Sequence, residues 1–117
     1  MRKVDRWALA TMWFEGYSEG SISFNNKNPG NLKYAKQPGA GDKDTFGHAI
    51  FESFEMGYRA LCNQLLAAAL GKYPQLYQPT MTLKQFYQRY AVANNGYAEF
   101  VASHLNCSVD TQIKDLI

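Results

Sequence analysis

The chain has 117 residues, of which 46% are hydrophobic and 19% charged. That balance suits one domain with its own core, residues 1–117, and excludes extended disorder or a collagen-like repeat. Twelve Lys and Arg against ten Asp and Glu leave a net charge of +2, too weak to make nucleic acid the main partner. Aromatic residues reach 15% of the chain, with eight Tyr among them. So many phenols suit a cleft that stacks on sugars or bases, although core packing is their more common use.

Residues 3–16 read as the first helix, with Trp7, Ala8, Thr11, Met12 and Glu15 along one line and Gly16 as a stop signal. Leu9 and Trp13 fall on the opposite side, so this helix is expected to be buried on more than one face. Arg2, Lys3 and Arg6 before the apolar run Trp7–Phe14 imitate a signal peptide. Asp5 interrupts the basic part, however, and no small-x-small cleavage site follows. No run of 18 apolar residues exists, so no membrane span is expected.

Residues 21–51 change character. Ser21-Ile22-Ser23-Phe24 alternates like a strand, Asn28-Pro29-Gly30-Asn31 is turn chemistry, and Leu32-Lys33-Tyr34 reads as the returning strand. A loop over residues 38–44 and a third short strand from Phe46 to Phe51 complete a small β insert. The rest is helical. Ser53 caps a helix to about Leu70, and its inner face carries Gly57, Leu61, Gln64, Leu65 and Ala68. Thr82-Leu83-Lys84-Gln85 is a capping box, with Met81 and Phe86 as its staple. Another helix spans about 96–105, burying Tyr97, Phe100, Val101, His104 and Leu105, and a short one closes the chain near 110–116. The fold class expected is α+β, predominantly helical, with a β insert after the first helix and a cleft between the two parts.

Glu15 carries the sharpest chemical signal. A carboxyl group in an apolar stripe at a helix C-terminus loses solvation and faces the negative end of the dipole, and both effects favour its neutral form. A neutral carboxylic acid can protonate a departing oxygen. The plainer alternative is a Glu15 paired with Lys or Arg, or facing water. Asn25 to Tyr34 supplies four Asn, whose amides both donate and accept, as recognition of hydroxyl and acetamido groups requires. Those amides equally suit a turn that bonds its own backbone. Cys62 and Cys107 lack metal-site spacing and leave one bridge or two free thiols open. Asp42 and Asp44 lack the rest of a calcium loop. His48 and His104 read as isolated, so neither metal nor cofactor is expected.

Together, Trp13-Phe14-Glu15-Gly16-Tyr17, Asn26-x-Asn28-Pro29-Gly30-Asn31-Leu32-x-Tyr34 and Phe46-Gly47-x-Ala49-x-Phe51 resemble the lysozyme-like peptidoglycan-cleaving domains of bacteria and phages. That superfamily includes lytic transglycosylases and autolysin-type glucosaminidases. The likeness continues through Glu55-x-Gly57-Tyr58-x-Ala60-Leu61 and the late Tyr90-Ala91, Asn95 and Tyr97-x-x-Phe100-Val101 positions. It implies a lysozyme-like fold, a monomer acting on glycan strands at the bacterial cell wall, and Glu15 as the general acid. Asn28, Asn31, Tyr34, Phe51, Tyr90 and Tyr97 are the substrate-contact residues expected with it. A glycosidase normally uses two carboxylates, yet Glu19, Asp42, Asp44 and Glu52 all lack a distinctive context. A single acid favours the route in which the sugar's own 6-hydroxyl attacks. The competing expectation is a non-catalytic glycan-binding or virion structural module on the same fold.

Overall fold

The computed structural model describes all 117 residues and is mostly helical, with one two-stranded antiparallel sheet. Its helices are α1 (Lys3–Phe14), α2 (Ile22–Asn25), α3 (Phe54–Ala69), α4 (Leu83–Tyr90) and α5 (Tyr97–Leu105), and a 3-10 turn, Ile113–Leu116, closes the chain. The strands β1 (Ala40–Lys43) and β2 (Ala49–Phe51) form a hairpin between α2 and α3. No helix is long and apolar enough to cross a membrane.

Local signals set the helix ends. Ser53 Oγ accepts from the Met56 amide at 3.2 Å, and Thr82 and Gln85 exchange both bonds of the capping box at 3.2 and 3.0 Å. α1 stops two residues earlier than Gly16. Glu15 is its C-cap, Gly16 takes φ 71°, and the amides of Gly16 and Tyr17 bond the carbonyls of Trp13 and Met12. That pairing is a Schellman closure, and the left-handed residue it needs is the glycine.

The β insert departs from the expected layout. Residues 21–24 are not a strand. Ser21 caps the single helical turn α2 by accepting from the Phe24 amide, and Ile22 and Phe24 point outward while Ser23 is buried. Alternation over four residues does not distinguish a strand from a capped turn. The expected loop instead supplies β1. Asp44 Oδ1 accepts from the amides of Phe46 and His48, which turns the chain back on itself with Gly47 at φ 86°. Leu32–Tyr34 joins that hairpin only through an isolated bridge, Lys33 to His48. The last helix is also shorter than expected, a 3-10 turn starting at Ile113.

The core lies between α1, α3, α4 and α5, with Trp7, Leu61, Leu65, Phe86, Tyr87, Tyr97 and Val101 almost wholly buried. The expected inner face of α3 holds for Gly57, Leu61, Leu65 and Ala68, while Gln64 is only half-buried. The opposite side of α1 is covered only in part: Leu9 is half-buried, and Trp13 is 51% exposed. On α5, His104 is exposed as well: it shares the Tyr97–Val101 stripe but lies in the last turn, where its ring rests on Phe100 at 4.2 Å and on the exposed Trp13 at 5.4 Å. Both cysteines are free thiols.

Candidate functional site

A pocket of about 580 Å³ opens beside the end of α1. Its wall combines Phe14 and Glu15, Asn31 and the segment after it, His48 just before β2, Gln64 of α3, and Arg89 to Ala93 at and beyond the end of α4. Glu15 is the only carboxylate in this wall.

The Schellman closure fixes the backbone of Glu15, and the buried interior fixes its side chain. Tyr97 Oη donates to Glu15 Oε2 at 2.7 Å. The Tyr97 ring is fully buried and stacks between Phe14, at 3.9 Å, and Tyr87, at 4.0 Å. Tyr87 is held in turn, since its oxygen receives the Trp7 indole N–H at 2.8 Å and bonds Thr11 Oγ1 at 2.7 Å. α1, α4 and α5 therefore meet in one hydrogen-bonded aromatic cluster behind the acid. Such buried, fully paired networks hold a single arrangement.

Desolvation is the largest influence on Glu15 and pushes its carboxyl above the ordinary range. The Tyr97 hydroxyl, the Asn31 amide and nearby His48 pull the other way without cancelling it. No cation forms an ion pair with Glu15; the ion pairs of the chain are Arg2–Asp5 and His48–Asp44. The carboxyl thus sits in the environment that favours a proton donor rather than a structural salt bridge.

Asn31 lines the same pocket, close enough for its side-chain amide to act on the Glu15 carboxyl. Its backbone is left-handed, at φ 52°, and its amide N–H bonds the Asn28 carbonyl at 2.9 Å. Its Oδ1 is buried with no hydrogen-bond partner. A buried acceptor left unpaired at a pocket wall is an invitation to a donor from outside the chain. Tyr90 also reaches this wall and ties the loop down, donating from Oη to the Gly30 carbonyl at 2.6 Å.

The other expected contact residues lie elsewhere. Asn28 is fully buried and spends its amide on the backbone, donating to the Leu32 and Ala49 carbonyls and accepting from the Leu32 amide. It is a plug joining the turn to β2 and offers nothing to a ligand. Phe51 is buried in the core, where β2 packs on α3. Tyr34 is half-buried against the core and does not line the pocket; its backbone bonds the Gly47 carbonyl.

Sequence reasoning missed His48, Arg89 and Gln64, all of which line the pocket. His48 is not isolated, for its Nδ1 lies 3.3 Å from Asp44 Oδ2. Desolvation, the largest influence on Asp44, pushes its pKa up, but bonds from His48, Asn26 and Phe46 bring it down to about 2. The four-residue spacing of Asp44 and His48 around a turn is the one signal that could have revealed this pair. Comparison with protein-family models, with curated proteins and with solved structures returns no match to this chain.

Proposed function

We propose that this chain is a lysozyme-like enzyme that cleaves the β-1,4-glycosidic bonds of peptidoglycan glycan strands, with Glu15 as general acid. The observation that carries this reading is the environment of Glu15: a desolvated carboxyl free of any ion pair, positioned by Tyr97 at the wall of a pocket. Protonated, it can donate to the glycosidic oxygen as the bond breaks. The partnerless Asn31 Oδ1 beside it in the pocket lining can accept from a sugar hydroxyl or acetamido N–H.

The route follows from the inventory of carboxylates. Retaining and inverting hydrolases need a second carboxyl group within about 5–10 Å of the first, on the same substrate. Glu15 is alone in its pocket, and Asp44 is already committed to His48, Asn26 and the turn backbone. A single residue then serves first as acid and afterwards as base toward the sugar's own 6-hydroxyl. The product is a 1,6-anhydro sugar, lighter by one water than a hydrolysis product.

Glu15→Gln tests the assignment, since it keeps shape and hydrogen bonding but removes the transferable proton. Incubated with purified sacculi, the wild-type chain is expected to release soluble muropeptides of anhydro mass. The variant is expected to be slower by about 100- to 10,000-fold. Equal release by both removes Glu15 from the reaction. Binding of sacculi without any release by the wild-type chain replaces the enzyme with a glycan-binding module.

A further inference from the structure

A second cavity, of about 550 Å³, continues the Glu15 pocket and shares with it Ala35, Gln37, Gln64, Leu76 and Tyr77. Its own part is different in chemistry. Lys36 and Arg59 line it, Asn63 adds an amide, Met56, Pro38 and Tyr73 supply apolar surface, and no Asp or Glu lines it. Neither Lys36 nor Arg59 forms an ion pair. Lys33 and Arg89 line the adjoining pocket, so the joined groove carries four cations against the one carboxyl of Glu15.

The loop bearing Lys36 is built to stay in place. Lys36 adopts a left-handed backbone, φ 58°, which a side chain of its kind seldom takes. Gln37 secures it from both sides, its Oε1 accepting from the Ala35 amide at 2.9 Å and its Nε2 donating to the Lys33 carbonyl at 2.8 Å. Arg59, in the same lining, rides on the long, well-capped helix α3. Two unpaired cations on fixed supports, in one cavity with apolar side chains, suit an aliphatic chain that carries carboxylates.

We infer that this cavity holds the acidic peptide branch of the glycan strand, its free carboxylates meeting Lys36 and Arg59 while the sugars occupy the Glu15 pocket. This rests on the peptidoglycan reading above, because in that polymer the lactyl group of alternate sugars bears a short peptide with free carboxylates. The neutral sugar chain by itself gives such cations nothing to bind.

The test uses two probes without a cleavable glycosidic bond: an N-acetylmuramyl peptide with free carboxylates, and the same compound with every carboxylate converted to carboxamide. Titrated calorimetrically with the intact chain, the acidic probe is expected to bind about five- to tenfold more tightly, as two solvent-exposed ion pairs allow. That preference should shrink as salt is raised. In Lys36→Gln/Arg59→Gln, where both replaced side chains are exposed, the two probes should bind equally. Equal affinity of the wild-type chain for both probes overturns the inference, as does absence of binding by either, or a preference that survives in the double variant. The sacculus assay with Glu15→Gln reports separately on cleavage, so loss of the peptide preference beside intact glycan cutting removes this inference alone.

Discussion

Glu15 is poised between opposing influences, and each can be removed in turn. Desolvation raises its pKa, while the Tyr97 hydroxyl lowers it by donating to Oε2. Tyr97→Phe keeps the ring stacked between Phe14 and Tyr87 but withdraws that donor. The ionised carboxylate loses a partner, so the pKa of Glu15 should rise further. A carbon-13 titration of the Glu15 carboxyl should show the upward move, and the high-pH limb of the activity profile should follow it. A downward move, or none, means that the hydroxyl does not act on the ionised form. Among expected contact residues, Asn31 and Tyr90 line the pocket, whereas Tyr97 is fully buried behind Glu15 and hydrogen-bonds only the acid, and Asn28 turns inward. A turn rich in Asn announces polar contacts, yet the sequence does not say whether backbone or ligand receives them.

The elements around the pocket depend on close contacts that hold loop to helix. Asn28 replaces three backbone hydrogen bonds that the turn cannot make for itself, two to Leu32 and one to Ala49. Asn28→Ala strands the Leu32 amide and the Ala49 carbonyl, while the Leu32 carbonyl keeps its bond from the Ala49 amide, and equilibrium unfolding in urea should show a loss of about 2–4 kcal/mol. A variant of near wild-type stability with weakened glycan binding would instead return Asn28 to the ligand. Gly57 serves the same junction from α3. A Cβ there would run into the Lys27 carbonyl oxygen and lie 3.0 Å from Pro29 Cδ. Gly57→Ala should therefore cost about 1–3 kcal/mol by the same measurement, although alanine is otherwise the better helix former. A stabilised Gly57→Ala would mean that the loop yields freely. These junctions explain what was legible in advance. Helices α3 and α4 were readable because their caps, Ser53 and Thr82 with Gln85, act within three residues. The hairpin was not, because its partners are chosen by the Asp44 turn and the Asn28 plug, whose side chains reach across four and twenty-one residues.

At the scale of the whole molecule, the acid and the aspartates oppose each other in pH dependence. Asp5 is held at about 2 by its bond from Arg2, with Tyr58 adding to it, and Asp44 is at about 2, against an ordinary 3.8 for both. Their folded pKa values are depressed. They therefore contribute stability above about pH 3.8, and it is lost as pH falls toward 2. Glu15 is raised above its ordinary 4.5, so its contribution has the opposite sign. It is fully present below pH 4.5 and is lost as pH rises through the folded value. Neutral solution thus destabilises the fold at the residue proposed to do the chemistry, the trade expected where a site is tuned for activity. Glu15→Gln removes the ionisation, so its thermal midpoint should exceed that of the wild-type chain at neutral pH. The gain should shrink toward zero as pH falls below 4.5, while the acid-side loss from Asp5 and Asp44 stays unchanged. Melting curves of both proteins across that range check it. A Glu15→Gln chain less stable than wild type at neutral pH would mean that the carboxylate is held as a favourable structural anion, and the argument for a proton donor would lose its physical basis.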